Sequence, residues 1–264
     1  MASTYGTQDW HQHLERTVSS ALLARHSWLG LSEARSEAGA NSARGKRLLD
    51  YACGPGMVTR TLAPYVDFAV GVDVSERMVE RYRELAGSLK LQEVEGIVGN
   101  LVDGEEERAR KGEEESVSAT NIGDSSALGA LRDFDVAVVG LGFHHFDDPM
   151  RAAKALASRL REKGGVLLVV DFIGGCGSKA DHQKKAEVTA KKDEANDVDE
   201  HSRIPKAMHA TVRVHGFDRT GMQEIFTAAG LKDFEWDEID EEVKLIVDGE
   251  TKRRKVFLAR GVKY

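Results

Sequence analysis

Proline is scarce in this chain, 4 residues against 26 glycines. Ordinary usage is about 5% proline and about 7% glycine, so a polyproline or collagen-like chain is excluded and the places of the glycines become the question. Cysteine is scarce too. Two cysteines cannot build a disulfide framework, and Cys53 sits in a glycine turn, which points to a reducing compartment. Long apolar runs are missing: residues 136–146 and 164–172 are too short, and too rich in Gly, His or Asp, to cross a bilayer. Residues 1–10 show neither a basic nor an apolar signal region, so a soluble, cytoplasmic protein without a membrane span is expected. No one sign of charge dominates. Lys and Arg number 37 and Asp and Glu 44, a net −7 that gives no general attraction to nucleic acid.

What is present is 264 residues with 41% hydrophobic side chains, enough for a sizeable core in one large domain or two small ones. Trp10, Leu14, Val18, Leu22 and Leu23 share one face of a helical stretch over 5–30, followed by a polar loop over 32–46. An alternation then begins. Residues 47–52 read as a buried strand, Gly54 to Gly56 as a turn, and 57–63 as a helix stopped by Pro64. Residues 68–74 read as a second strand, Ser75 as an N-cap for a helix to Gly87, and 96–102 as a third strand. Strands over 135–141 and 165–172, with a helix over 149–162 between them, continue the pattern. Continuous Val and Leu runs imply strands covered on both faces, as in a parallel sheet between helix layers. Two stretches interrupt it, about 103–133 with an acidic low-complexity run, and about 174–215 with a charged run. Asp218 can then cap a helix reaching about 230. Strands over 234–243 and 255–262 follow, joined across Asp248-Gly249 as an antiparallel hairpin. The expected fold is α/β, a doubly wound Rossmann-like sheet, mostly parallel with a C-terminal antiparallel hairpin and helices on both faces. One domain over 47–264 carries it, with 1–46 as an N-terminal helical lid.

Residues 48–56, Leu-Leu-Asp-Tyr-Ala-Cys-Gly-Pro-Gly, join the first strand to the first helix. Gly54 and Gly56 permit a tight turn and close approach of a ligand, and the helix N-terminus behind them offers partial positive charge. Asp73 ends the next strand 17 positions after Gly56, where a carboxylate can accept hydrogen bonds from ribose hydroxyls. An adenosine-type ligand is implied. The dinucleotide fingerprint would need Gly at 52, 54 and 57, and the chain has Ala52, Gly54 and Met57, which disfavours NAD and FAD. No phosphate-binding loop with its Gly-Lys-Ser/Thr ending is present.

Four segments together resemble a class I S-adenosylmethionine-dependent methyltransferase. They are 48–56, Gly-Val-Asp-Val-Ser at 71–75, Gly-Leu-Gly-Phe-His-His-Phe-Asp-Asp-Pro at 140–149, and Leu-Arg-Glu-Lys-Gly-Gly-Val-Leu-Leu-Val-Val-Asp at 160–171. The branch is similar to ubiquinone-biosynthesis-type and small-molecule methyltransferases, and His-Gly-Phe-Asp-Arg, here at 215–219, resembles a stretch in bacterial and fungal members of unassigned substrate. The resemblance implies S-adenosylmethionine as cofactor. Asp50 and the backbone from Ala52 through Gly54 to Gly56 would surround its methionine part, and Asp73 would hold the ribose diol. Val74 and Met78 would lie against the adenine, and Gly140 and Leu141 would meet the methionyl amine through their carbonyls. Asn100, followed by Leu101, stands where the family often has the Asp that contacts the adenine amine, with Asp124 as the alternative. Ala52 stands where the family usually has Gly.

Methyl transfer from a sulfonium needs an in-line nucleophile, and the protein supplies proximity worth about 7–11 kcal/mol. A general base is needed only for a neutral hydroxyl or a protonated amine, and it adds about 10²–10⁴-fold. The candidates are His145 and His215, with Asp171 at the end of the fifth strand to orient either one. His144 and His145 are adjacent, so one faces the site and the other the packed surface. Tyr5, Trp10, His13 and the stretch 174–215 would wall in a small organic acceptor, methylated at O, N, S or C; nucleic acid is not expected as a partner. No metal is expected, because neither Cys53 nor Cys176 has a ligand at metal-binding spacing, and His11 and His13 read as a helix face. The basic run from Lys252 to Lys255 is expected to pair with the acids of 235–242 across the hairpin. Two other classes are compatible with the sequence, a catalytically silent methyltransferase-like regulator of metabolism and a nicotinamide-dependent oxidoreductase.

Overall fold

The structure, a computed structural model, describes residues 9–31, 45–102, 128, 130–174, 216–247 and 250–264. Asp124 and His215, most of 103–133 and 174–215, and much of 1–46 therefore lie outside the described residues. Helix α1 (Asp9–Ala24) buries Leu14, Val18, Ala21 and Leu22 along one stripe, as their spacing requires. Strand β1 (Arg47–Tyr51) leads into α2 (Met57–Leu62), whose chain continues as a 3₁₀ turn over Ala63–Tyr65. Pro64 fits the first turn of that 3₁₀ segment, where its missing N–H costs nothing.

Strand β2 (Phe68–Asp73), α3 (Glu76–Ala86) and β3 (Glu93–Val98) form the next unit, and β4 (Val136–Gly140), α4 (Pro149–Ala157) and β5 (Val166–Phe172) the one after. Asp148 caps α4, accepting from Arg151 N at 2.9 Å. Asp218 caps α5 (Arg219–Ala228), accepting from Gly221 N at 2.7 Å. Strands β6 (Lys232–Glu238), β7 (Val243–Val247), β8 (Glu250–Arg254) and β9 (Val256–Val262) complete the described strands.

The main sheet runs β3-β2-β1-β4-β5-β9-β6. Its first five strands are parallel, and β9 is antiparallel to both neighbours. The chain order turns back between β1 and β4, the switch point of a doubly wound sheet. One face is covered by α4 and α5, with Leu156, Met222 and Phe226 packed on Leu49, Val139 and Val169. The other is covered by α1 and α2, with Val18, Leu22 and Leu62 on Leu48, Val138 and Leu168. Helix α1 is tied to α2 by a Ser19 to Thr61 hydroxyl contact of 2.8 Å and to β6 by Arg25 and Asp237. Helix α3 comes unusually near β2, because a Cβ on Gly71 would fall 2.4 Å from the Tyr82 ring.

The hairpin differs from expectation. The stretch 234–243 is two strands, since β6 ends at Glu238 and β7 starts at Val243. The last two stretches are indeed antiparallel neighbours, but as β6 and β9 inside the main sheet. Asp248-Gly249, outside the described residues, instead falls in sequence between Val247 and Glu250, the last pair of a separate β7–β8 ribbon. Burial of Ile239 and Val243 with α1 drives the break, turning the chain out of the sheet before β7 begins. Across that ribbon Arg253 and Arg254 face Lys244 and Val243, not acids. Among the described residues, the expected pairing with the acids of 235–242 is kept by Arg253 and Glu242, 4.0 Å apart beside the ribbon. Among the described residues no helix is long and apolar enough to cross a membrane.

Candidate functional site

The reversal after β1 is built from left-handed backbone, with φ of 54° at Ala52, 50° at Gly54 and 84° at Gly56. It is held by Cys53 N donating to Val72 O at 3.1 Å and Gly56 N to Cys53 O at 2.8 Å. Asp73 reaches over it from the end of β2. Gly54 N donates to its Oδ2 and Ser75 N to its Oδ1, each at 2.9 Å. Ser75 stands at the N-cap of α3 but engages through its backbone, not its hydroxyl. A carboxylate offers about four lone-pair sites, so the carboxylate retains acceptor capacity for two further donors, the number on a vicinal diol. Val74, the next residue, is 69% exposed, and Met78 lies half-buried one turn into α3.

Beneath the turn lies Asp50, 1% exposed. Its Oδ2 accepts from Thr59 N at 3.1 Å and Thr59 Oγ1 at 2.8 Å, and that hydroxyl is 3.1 Å from Tyr82 Oη. Burial pushes the Asp50 carboxyl up to about 7; the Thr59 bonds oppose the rise and the nearby charge of Asp73 adds to it. Burial likewise pushes the Cys53 thiol up, away from a reactive thiolate.

At the end of β3 the Asn100 carboxamide oxygen accepts from Tyr51 Oη at 3.0 Å and Val102 N at 2.8 Å. Asn100 therefore shapes the turn that leaves the sheet, and Leu101 beside it is buried.

The end of β4 closes the cleft. Leu141 holds φ 62° and donates its N–H to Val170 O at 2.8 Å. A Cβ on Gly140 would fall 2.6 Å from Val58, and one on Gly142 would fall 3.0 Å from Ala52 Cβ, so this crossover touches the first glycine turn. A 3₁₀ turn over Phe143–His145 follows. Asp171, fully buried at the end of β5, accepts from His144 N at 2.9 Å and Phe172 N at 2.7 Å, and its Oδ1 is 2.8 Å from His144 Nδ1. The His145 ring lies beside that of His144, 4.1 Å between centroids.

The imidazole held by Asp171 is thus His144, which the sequence pattern does not single out. The signal was present as an adjacent histidine pair and an acid ending the next strand. Choosing between the two histidines needs the 3₁₀ turn, which places a backbone N–H and a ring nitrogen of one residue on the same carboxylate. Elsewhere His13 Nε2 lies 3.4 Å from Glu241, and Trp10 packs on the α1 side of the core. Among the described residues no group of three or more His, Cys, Asp or Glu side chains is arranged to hold a metal ion.

Asp50, Ala52, Gly54, Gly56, Asp73, Val74, Met78, Asn100, Leu101, Gly140, Leu141 and Asp171 accordingly gather at the carboxyl ends of β1 to β5. A family model described as a methyltransferase domain matches residues 24–235. An uncharacterized methyltransferase of Schizosaccharomyces pombe is 28% identical over 131 residues, which are 50% of this chain and 40% of the relative. The chain thus matches less than half the length of that curated protein. The YcgJ protein of Bacillus subtilis has a similar structure, with a TM-score of 0.55 and 17% identity, covering 92% of this chain and 98% of its own. The N-methyltransferase NodS of Bradyrhizobium japonicum gives a TM-score of 0.51 at 15% identity, over 95% of this chain and 96% of its own. At such identities these two structures establish a common fold.

Proposed function

Because the chain belongs to the methyltransferase-domain family, we propose that it moves a methyl group from S-adenosylmethionine, by in-line displacement, to an O, N, S or C nucleophile of a small organic acceptor. The observation that carries this reading is Asp73, held over the glycine turn by Gly54 N and Ser75 N with acceptor capacity left for a ribose diol. The other residues present fit the same group. An adenine ring would cover exposed Val74 and meet Met78. Asn100 and Leu101 would border that ring, with Asp124 the alternative contact.

The backbone from Ala52 through Gly54 to Gly56 would pass along the methionine part, with Asp50 beneath it. The carbonyls of Gly140 and Leu141 would receive the methionyl amine. When bound, the cofactor supplies an activated methyl carbon and its own leaving group. The chain's residues fix the angle of approach and keep water from the reacting atoms, the source of most of the rate. Residues 1–46 and 174–215 would wall the acceptor side, and an imidazole near Asp171 would take a proton where the acceptor carries one, with His145 and His215 as candidates for that step. The free, buried thiol of Cys53 fits a reducing cytoplasm.

Isothermal calorimetry with S-adenosylhomocysteine tests the reading. Wild type is expected to bind, and Asp73→Ala to bind about 10–100-fold more weakly, the loss of one or two charged hydrogen bonds. No binding by the wild-type protein would overturn it.

A further inference from the structure

We propose that His144 is the general base of this reaction, that Asp171 is its positioning residue, and that the acceptor is a hydroxyl compound, an alcohol or phenol. The proposal rests on the S-adenosylmethionine reading above and names the substrate class for the same site. Asp171 is fully buried, and three donors converge on it: His144 N, His144 Nδ1 and Phe172 N. A carboxylate so placed accepts only, so the His144 proton sits on Nδ1 and the Nε2 lone pair points away from Asp171. Among the described residues the polar partner of the His144 side chain is Asp171 alone, and the side chain keeps 12% of its surface exposed.

The pair also sits where the methyl group would be delivered. Gly142 packs against Ala52 of the glycine turn, and His144 follows two residues later, in the 3₁₀ turn that Gly142 precedes. An ammonium acceptor would need a carboxylate to receive it, yet Asp171 is sealed beneath His144 and presents only an imidazole. A hydroxyl is what an imidazole lone pair serves best. As the O–C bond forms, the C–S bond breaks with its electron pair left on sulfur, and the O–H proton passes to Nε2. The imidazolium remains hydrogen-bonded to Asp171 until solvent takes the proton.

The test uses the full chain with S-adenosylmethionine and six probes: phenol, catechol, benzyl alcohol, para-nitrophenol, benzylamine and thiophenol. Wild type is expected to methylate hydroxyl probes. His144→Ala is expected to bind S-adenosylhomocysteine as wild type does, yet to lose about 10²–10⁴-fold in kcat on phenol with little change in KM. It should spare para-nitrophenol, which ionises unaided near neutral pH, and regain turnover of phenol with added imidazole. Asp171→Asn is expected to lower kcat and, in long-range ¹⁵N–¹H spectra, to remove the Nδ1–H tautomer of His144.

Turnover of the amine or thiol probe alone overturns the proposal, as does no turnover of any hydroxyl probe by a protein that binds S-adenosylhomocysteine. An unchanged kcat in His144→Ala, or a loss found only in His145→Ala, overturns it as well. A wild-type protein that binds no S-adenosylhomocysteine overturns both this proposal and the reading beneath it.

Discussion

Ala52 occupies backbone that side chains avoid, at φ 54° in the middle of the glycine turn. A left-handed conformation costs a residue with a Cβ about 1–2 kcal/mol, while glycine loses about 0.5–1 kcal/mol more on folding. Ala52→Gly should therefore stabilise the fold by about 0.5–1 kcal/mol, seen as a rise in Tm of about 1–3 °C in a thermal melt. A drop in Tm would show that contacts of the Ala52 methyl outweigh the strain. Asp50 is the other residue with a measurable signature. Burial holds its carboxyl at about 7, against 3.8 for the free side chain, so the folded state binds the extra proton between those values. Its contribution to stability is then full below about pH 4 and is lost as pH rises through about 7. Asp50→Asn keeps an acceptor for Thr59 and has no proton to lose. The difference in Tm, variant minus wild type, should climb between pH 4 and pH 7 and then level off. A flat difference would place the ionisation elsewhere.

Helix α3 depends on glycines that lie outside it. Tyr82 is fully buried against Gly56, Gly71 and Gly96, and a methyl on Gly71 would meet its ring at 2.4 Å. Gly71→Ala should cost about 1–3 kcal/mol by forcing α3 off the sheet. Adding Tyr82→Leu should cost less than the two single changes summed, since both act on one contact. Urea unfolding of the four proteins checks the coupling, and strict additivity would refute it. The first units were legible in the chain because each element carried its own mark: an apolar run for β1, Asp73 ending β2, and Asp218 before α5. The β7–β8 ribbon was half legible. Asp248-Gly249 signals a turn wherever it falls, but the strands that own it depend on Ile239 and Val243 finding cover under α1. His144 was hidden for a related reason, since Asp171 lies 27 positions away and meets it only because β4 and β5 are neighbours.

At the scale of the molecule, α1 is part of the core. Leu22 is fully buried in the same cluster as Leu48 and Leu168, and Arg25 and Trp28 reach Asp237 and Glu235 on β6. Leu22→Ala should cost about 2–5 kcal/mol, and its urea transition should stay single, with circular dichroism and tryptophan fluorescence coinciding. Two separated transitions would mean that α1 is an independent unit. The parallel half of the sheet followed from apolar runs buried on both faces, but the place of β9 could not be read from them. Pairing partners are chosen by long-range packing, and nothing local in Val256–Val262 says that it enters between β5 and β6.

That insertion bears on how the protein is made. The strand synthesised last among the nine described strands lies inside the sheet, so during translation β5 waits for its β9 neighbour while β6 to β8 emerge. The waiting edge belongs to Val-Leu-Leu-Val-Val-Asp-Phe, a template for stray pairing with another nascent chain. Until residue 256 clears the ribosome, the carboxyl end of β5, and with it Asp171, lacks its β9 neighbour. Closing that edge and completing the surroundings of Asp171 are therefore one event, the arrival of β9.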